Sequence, residues 1–170
     1  MKRMMGRPML VRTVILFLVG FAGSAAAFCT DAAAPDVEWN RCIFDERNMP
    51  EANLAGAKIR SSSFKRANLE RADFTGVTGS RAKFISAGLR DARFDRARLN
   101  EADFTKADLR GAVFKEADLR RARFFRAQLE GADFTGARLR QADFFDADLS
   151  GAIWTDGKHV CAQGSIGQCR

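Results

Sequence analysis

One apolar residue recurs at every fifth position from Leu54 to Trp154, and this period constrains the fold more than any other feature of the 170-residue chain. A small residue, nearly always Ala, stands two positions before each of these apolar residues. Of 21 consecutive five-residue units, only the one centred on Gly79 lacks the large side chain. A period repeated so regularly predicts a backbone that repeats with it.

Neither an α-helix nor a flat strand keeps every fifth residue on one side. A helix advances about 100° per residue, so a step of five rotates about 140° and spreads the apolar residues around its surface. In a flat strand the fifth residue points to the opposite face. A chain that makes a quarter turn after each unit keeps all of them inside, in a square coil of about 20 residues. Coils of this kind would stack about 4.8 Å apart.

The unit A-[D/N]-[L/F]-x-x, as in residues 67–69 (ANL), 102–104 (ADF) and 107–109 (ADL), resembles the pentapeptide repeat family. The resemblance covers residues 50–154. It implies an all-β fold, a right-handed quadrilateral parallel β-helix of about five coils, and the handedness comes from the resemblance alone. It identifies a fold family and no activity.

The centres alternate between two residue types, and this alternation predicts the core. Phe occupies the positions that end in 4, from Phe64 to Phe144, while Leu or Ile dominates those that end in 9. Phenylalanine rings should therefore occupy two opposite sides, face each other across the core and stack from coil to coil. At the exceptional unit, Val77 replaces the usual Ala beside Gly79. We expect Gly79→Leu with Val77→Ala to fill the core and stabilise the protein.

The N-terminal segment has the parts of a signal peptide over residues 1–27. It carries four basic residues and no acid, then the apolar run TVILFLVGF at 13–21, then small residues up to Ala27. This order is typical of secretory signals, so we expect a mature protein that begins near Phe28, is periplasmic or secreted, and has no membrane span after cleavage. A membrane anchor is the alternative, but residues 13–28, up to the expected start of the mature protein, number 16, where a span needs roughly 20.

All four cysteines flank the repeats. Cys29 and Cys42 lie in an N-terminal cap segment, 28–49, and Cys161 and Cys169 in a C-terminal cap or tail, 155–170. Five coils separate these segments by roughly 24 Å, whereas the Cα atoms of bonded cysteines lie within about 7 Å. Pairing within each segment is therefore favoured. Cys42 also stands two residues before Phe44, in the small-residue position, which suggests that the coil begins near Trp39 with irregular units. A zinc site with His159 is the alternative, and it lacks the paired close spacing of structural zinc ligands.

An acidic or amide residue precedes the centre in many units and could form a metal-binding ladder or hydrogen-bond the turns. The residue types and the position favour the turn. Nine residues share this position: Asn53, Asn68, Asp73, Asp103, Asp108, Asp118, Asp133, Asp143 and Asp148.

Charge and composition restrict the function. Without residues 1–27 the chain has 24 basic and 21 acidic residues, which excludes a polybasic nucleic-acid protein. One His, no Tyr and no nucleotide-binding glycine motif predict no enzyme, no cofactor and no metal. The leading interpretation is an exported, non-enzymatic scaffold with a macromolecular partner. Some members of the resembled family are topoisomerase-binding DNA mimics, but residues 50–154 hold 20 basic and 15 acidic side chains, the wrong balance for mimicry. An envelope enzyme is a further alternative, with no identifiable site.

The register also predicts a surface patch, because residues 20 apart lie one above another. Phe125 and Phe145 follow inward centres and should be exposed in adjacent coils, with Ile85 lower in the same column. The candidate interaction patch, for self-association as a homodimer or for docking to an anionic or protein partner, adds arginines of the preceding side: Arg98, Arg120, Arg138 and Arg140. In the alternatives the rings only support each other, or the tail from Thr155 covers them.

Overall fold

The computed structural model describes residues 29–170, and the signal peptide expected over residues 1–27 lies outside the described residues. Parallel β-bridges pair each outward residue with the residue 20 positions later, from Glu38↔Lys58 to Asp133↔Ile153. Each side of the coil contributes one bridging residue and no continuous strand. The fold is therefore a four-sided parallel β-helix with 20 residues per coil. Within the described residues no helix is long and apolar enough to cross a membrane.

The β-helix begins before residue 50. Glu38, Ile43 and Asn48 already bridge to the second coil, so the segment expected as a cap supplies the first coil. Trp39, only 1% exposed, occupies the first inward centre. The 24 centres from Trp39 to Trp154 make six coils of four sides.

The interior follows the predicted alternation of residue types. The Phe64 ring stacks on the Phe84 ring one coil away, with centroids 5.1 Å apart and planes 7° apart. It meets Phe74 on the opposite side edge-on, at 6.3 Å and 82°. Offset-stacked and edge-to-face pairs are both favourable, because an aromatic ring has a negative face and a positive edge. They recur along the helix up to Phe144, which confirms the two facing columns of rings.

The corners are turns that hold one residue at positive φ. The N–H of each small residue donates to the carbonyl of the preceding centre, as from Ala57 to Leu54 at 3.0 Å. This bond closes a turn whose third residue needs φ above zero, as in a type II turn. Gly56 has φ 70° there, and Arg96 has φ 55°. An L-residue in this conformation costs about 1–2 kcal/mol, yet 18 corners carry a residue other than Gly.

The residue before each centre secures the following corner. All nine Asn and Asp side chains named above accept a hydrogen bond from the backbone N–H two residues later, which confirms their turn role. Asp118 also accepts from the Arg120 guanidinium at 2.6 Å, and this bond holds the pKa of the carboxyl below its usual range. Asp108 and Arg110 repeat the arrangement, with the same direction of the pKa of Asp108.

Each end of the β-helix has its own disulfide, as predicted. Cys29 bonds to Cys42 and Cys161 to Cys169, with Cα atoms 5.5 and 4.9 Å apart. The C-terminal tail folds back on the last coil through two antiparallel bridges, Asp148↔Ile166 and Ile153↔Val160. It therefore covers two of the four sides at this end.

The space beside Gly79 is filled, so the expectation that a leucine would fill a void there is wrong. A Cβ atom placed on Gly79 would lie 2.9 Å from Ile59 Cγ1 and 2.9 Å from Leu99 Cδ2. Val77 is fully buried in the same unit. Side chains from the coils on either side have closed over the missing one.

Candidate interaction surface

Phe125 and Phe145 form the aromatic pair on the outside of the β-helix. Their ring centroids lie 5.9 Å apart with planes 10° apart, so the rings stack across two adjacent coils. Phe145 is 64% exposed, and Phe125 is half-buried beneath it. The stack thus presents one nearly bare ring face to solvent at the C-terminal end.

The corner geometry explains why both rings point outward. Each Phe follows an inward centre and opens the next turn, where the backbone directs the side chain away from the core. Asp143 Oδ1 accepts the Phe145 N–H at 3.0 Å and fixes that turn. The Arg126 guanidinium carbon lies 4.9 Å from the centre of the Phe125 ring, and its Nε is 3.3 Å from Asp146 Oδ2. We call Phe125, Phe145, Arg126 and Asp146 the aromatic corner.

The other residues of the predicted patch lie apart from the aromatic corner. Ile85 occupies the same column, but Thr105 separates it from Phe125. The bridged column Asp103, Arg123 and Asp143 runs between the rings and the preceding side. On that side stand the four predicted arginines, Arg98, Arg120, Arg138 and Arg140.

The arginine that contacts the rings is Arg126, which sequence reasoning missed. Its position directly after Phe125, at the corner, is the signal that could have identified it. Arg120, by contrast, is held by Asp118.

The tail does not cover the rings, so that alternative is wrong. Its antiparallel bridges lie along residues 148–153, on the two sides that follow the aromatic corner. Val160 and Ile166 of the tail are themselves 57% and 47% exposed.

A shallow cavity of about 270 Å³ opens at the C-terminal end, between the last coil and the tail. Phe144 and Trp154 form its floor, and His159, Gln168 and Cys169 belong to its rim. Cys169 is bonded to Cys161, so it offers no thiolate. His159 is an exposed residue. The lining of this cavity contains no paired nucleophile and base.

Fold and surface together define a class: a repeat solenoid that presents four flat sides along its length. The family comparison makes this specific. The model of the "Pentapeptide repeat region" matches residues 53–124, and that of "Pentapeptide repeats (8 copies)" matches residues 122–155. The chain belongs to the pentapeptide repeat family, and its fold is the right-handed quadrilateral β-helix of that family. No curated protein matches the chain.

Solved structures share this fold at low sequence identity. A pentapeptide repeat protein, Rfr23, from the cyanobacterium Cyanothece 51142 is 20% identical, covering 69% of this chain and 90% of its own, with a TM-score of 0.60. HetL of Nostoc sp. strain PCC 7120, involved in heterocyst differentiation regulation, is 27% identical over 75% of this chain and 73% of its own, at 0.46. An Arabidopsis thaliana thylakoid lumen protein is 22% identical over 74% and 85%, at 0.45.

Proposed function

We propose that the protein is an exported, non-enzymatic scaffold that binds a protein partner through the aromatic corner. Two features support export. Residues 1–27 have the charge, apolar core and small residues of a secretory signal. The protein also has two disulfides, and disulfides form and persist in oxidising compartments such as the periplasm or the exterior of the cell.

The exposed stack of Phe125 on Phe145 is the observation that supports docking. A ring that is 64% exposed keeps a large apolar area in water, although three of the four residues that share this column with Phe125 and Phe145 are polar: Asp45, Lys65 and Thr105. Aromatic residues with a neighbouring arginine are typical of the residues that dominate protein–protein binding energy. Arg126 provides that arginine, and its ion pair with Asp146 holds it beside the ring. The corner therefore has an apolar anchor and a charged rim.

The two alternative functions have less support. A DNA mimic needs an acidic surface, whereas residues 50–154 carry 20 basic and 15 acidic side chains. Catalysis needs a nucleophile with a base or two carboxylates in a cleft. The cavity at the C-terminal end offers one histidine and a bonded cysteine.

A double variant tests the docking proposal. Phe125→Ser with Phe145→Ser removes the anchor without touching the core, since neither side chain points inward. Ile43→Ser with Val160→Ser is the matched control, because these residues are 72% and 57% exposed elsewhere on the surface. The readouts are analytical ultracentrifugation and chemical cross-linking in envelope extracts, with the cross-linked proteins identified by mass spectrometry.

We expect the aromatic variant to lose a defined cross-linked partner that both the wild type and the control retain. Loss of a homodimer in the same variant would identify the partner as a second copy of the chain. If the aromatic variant keeps its assembly state and its cross-links, the docking proposal is refuted.

A further inference from the structure

One side of the β-helix is strongly basic, and six of its nine basic residues form no ion pair within residues 29–170. We call it the basic side: the outward and corner residues of the units whose centres lie every 20 residues from Trp39 to Leu139. Of its 18 residues none is apolar. Three are acidic and six carry hydroxyl or amide groups. The other nine are basic: Arg41, Lys58, Arg60, Arg81, Arg98, Arg120, Arg121, Arg138 and Arg140.

The opposite side has the reverse balance. Its units have centres every 20 residues from Met49 to Leu149, with three basic residues. Its six acidic residues are Glu51, Glu70, Asp91, Asp108, Glu130 and Asp148. Residues 28–170 have nearly balanced charge, with 24 basic and 21 acidic residues, yet the basic and acidic residues are concentrated on opposite sides of the helix.

Every acid of the basic side is already paired with a basic neighbour on the same side. Glu38 pairs with Lys58, Asp118 with Arg120 at 2.6 Å, and Glu101 with Arg121 at 3.9 Å. The remaining six basic residues form no ion pair with any residue from 29 to 170, and all are exposed: Arg41, Arg60, Arg81, Arg98, Arg138 and Arg140. Arginine presents a planar fork of donors that binds carboxylates bidentately.

Six of the nine cations are regularly spaced along the solenoid axis. Lys58, Arg98 and Arg138 occupy one column at every second coil, with Thr78 and Asp118 between them. Arg41, Arg81 and Arg121 alternate in the same way at the corner. Two coils advance about 9.6 Å along the axis, close to the length of two sugar rings in an extended chain. The unpaired arginines of these rows, Arg98 with Arg138 and Arg41 with Arg81, therefore lie two coils apart, which matches a polymer that carries one acidic group on every second ring.

We propose that the basic side binds a linear acidic polysaccharide laid along the solenoid axis, with carboxylates on alternate rings. The free arginines would bind the carboxylates. The hydroxyl and amide groups between them, such as Thr78 and Asn100, can hydrogen-bond sugar hydroxyls. The proposal deepens the proposed function by naming a partner class for the arginine half of the predicted patch. It rests on the proposed function only in requiring export, because an exported protein comes into contact with such polymers outside the cytoplasm.

Two other polyanions fit the basic side less well. Duplex DNA carries one charge per about 1.7 Å of axis, far denser than the free cations of this side. Single strands are bound through exposed aromatic platforms, and none of the 18 residues is aromatic. An acidic protein would find no apolar anchor here, and such anchors dominate protein interfaces.

Binding of a defined oligosaccharide to charge variants tests the proposal. The probe is a hyaluronan decasaccharide, in which glucuronate alternates with a neutral ring, and the neutral comparison is a chitin oligosaccharide of equal length. The protein is purified with both disulfides intact, and affinity is measured by isothermal titration calorimetry at low and physiological salt. Arg98→Gln with Arg138→Gln removes two free cations of one column. Arg47→Gln with Arg96→Gln is the matched control, because both arginines are exposed and unpaired on other sides.

We expect the wild type and the control to bind the acidic probe alike and to ignore the neutral one. The column variant should bind at least about tenfold more weakly, as the loss of two charge-assisted contacts implies. Equal weakening in the control would refute the proposal, since only bulk charge would matter. Binding of a DNA duplex at the same or higher affinity, or self-association that replaces sugar binding, would also refute it. The aromatic corner is intact in these variants, so failure here is distinguishable from failure of the proposed function.

Discussion

Gly79→Ala is the sharpest test of how the core is packed, because sequence and structure predict opposite results. The repeat lacks a leucine at Gly79 and Val77 refills only part of that space, so the sequence alone predicts room for an added side chain, as in Gly79→Leu with Val77→Ala. In the structure the new Cβ would lie 2.9 Å from both Ile59 Cγ1 and Leu99 Cδ2. Gly79 is not a corner, so its backbone imposes no penalty of its own.

The expected magnitude follows from two opposing terms. Replacing Gly by Ala stabilises by about 0.4–1 kcal/mol, because the unfolded chain loses freedom. Overpacking a filled core costs about 1–3 kcal/mol. We therefore expect Gly79→Ala to lower the free energy of unfolding by about 1 kcal/mol, a few degrees in Tm for a chain of this size.

Gly88→Ala is the matched control. Gly88 has an unexceptional φ on the outside of the opposite side, and a Cβ there meets its nearest atom, Asn68 Oδ1, at 3.9 Å. Gly88→Ala should therefore raise the free energy of unfolding by about 0.4–1 kcal/mol, because it restricts the unfolded chain without overpacking the core. Both are measured by urea unfolding followed by circular dichroism. Leu99→Val added to Gly79→Ala should recover part of the loss, since it removes the methyl that the new Cβ meets. Stabilisation by Gly79→Ala equal to that by Gly88→Ala would refute the packing described here.

Three further predictions concern corners, charges and caps. Gly131→Ala should cost about 1 kcal/mol for its positive φ, since a Cβ there meets nothing within 4 Å. Gly111→Ala should cost about the same, since its Cβ would meet only the exposed carboxylate of Asp91, which can rotate away, and stabilisation by either variant in urea unfolding would contradict this. Because the pKa of Asp118 is lowered in the folded protein, its carboxylate stabilises the fold at pH values above the pKa of an ordinary Asp. This contribution is lost as the pH falls through the folded-state pKa. Tm should therefore decline below about pH 4, and Arg120→Gln should make that decline shallower; an identical pH profile would show that the pair does not couple to folding. Cys161→Ser with Cys169→Ser should lower the free energy of unfolding by about 2 kcal/mol, and an unchanged Tm would mean that the tail bridges hold the cap alone.

The repeat made the fold predictable because every inward position obeys one rule. A fifth-residue apolar period with a small partner fits one backbone, and the alternation of Phe and Leu then defines the rings that meet. The first coil was harder to recognise, because it breaks the pattern. Cys42 fills a small-residue position there, and Ser62 in the next coil accepts a hydrogen bond from the Cys42 N–H at 3.2 Å. Cys42 forms the N-terminal disulfide and Ser62 packs against it, so neither position carries the Ala of the repeat.

The details that sequence reasoning missed depend on side chains that adjust to their neighbours. Register shows that Gly79 lacks a side chain, but it does not show that Ile59 and Leu99 occupy the space. It places Phe125 and Phe145 outward, but not the turn of the corner that brings Arg126 to the ring. The aperiodic tail carries no such register, so its path along residues 148–153 required the structure.

The compartment and redox state of the protein in its own cells test the central claim, an exported solenoid with a disulfide at each end. The measurement is cell fractionation followed by intact-mass spectrometry after thiol alkylation. We predict a protein outside the cytoplasm whose mass corresponds to loss of residues 1–27 and which takes up no alkylating agent, because all four cysteines are bonded. A full-length cytoplasmic protein with four alkylated cysteines would contradict the claim.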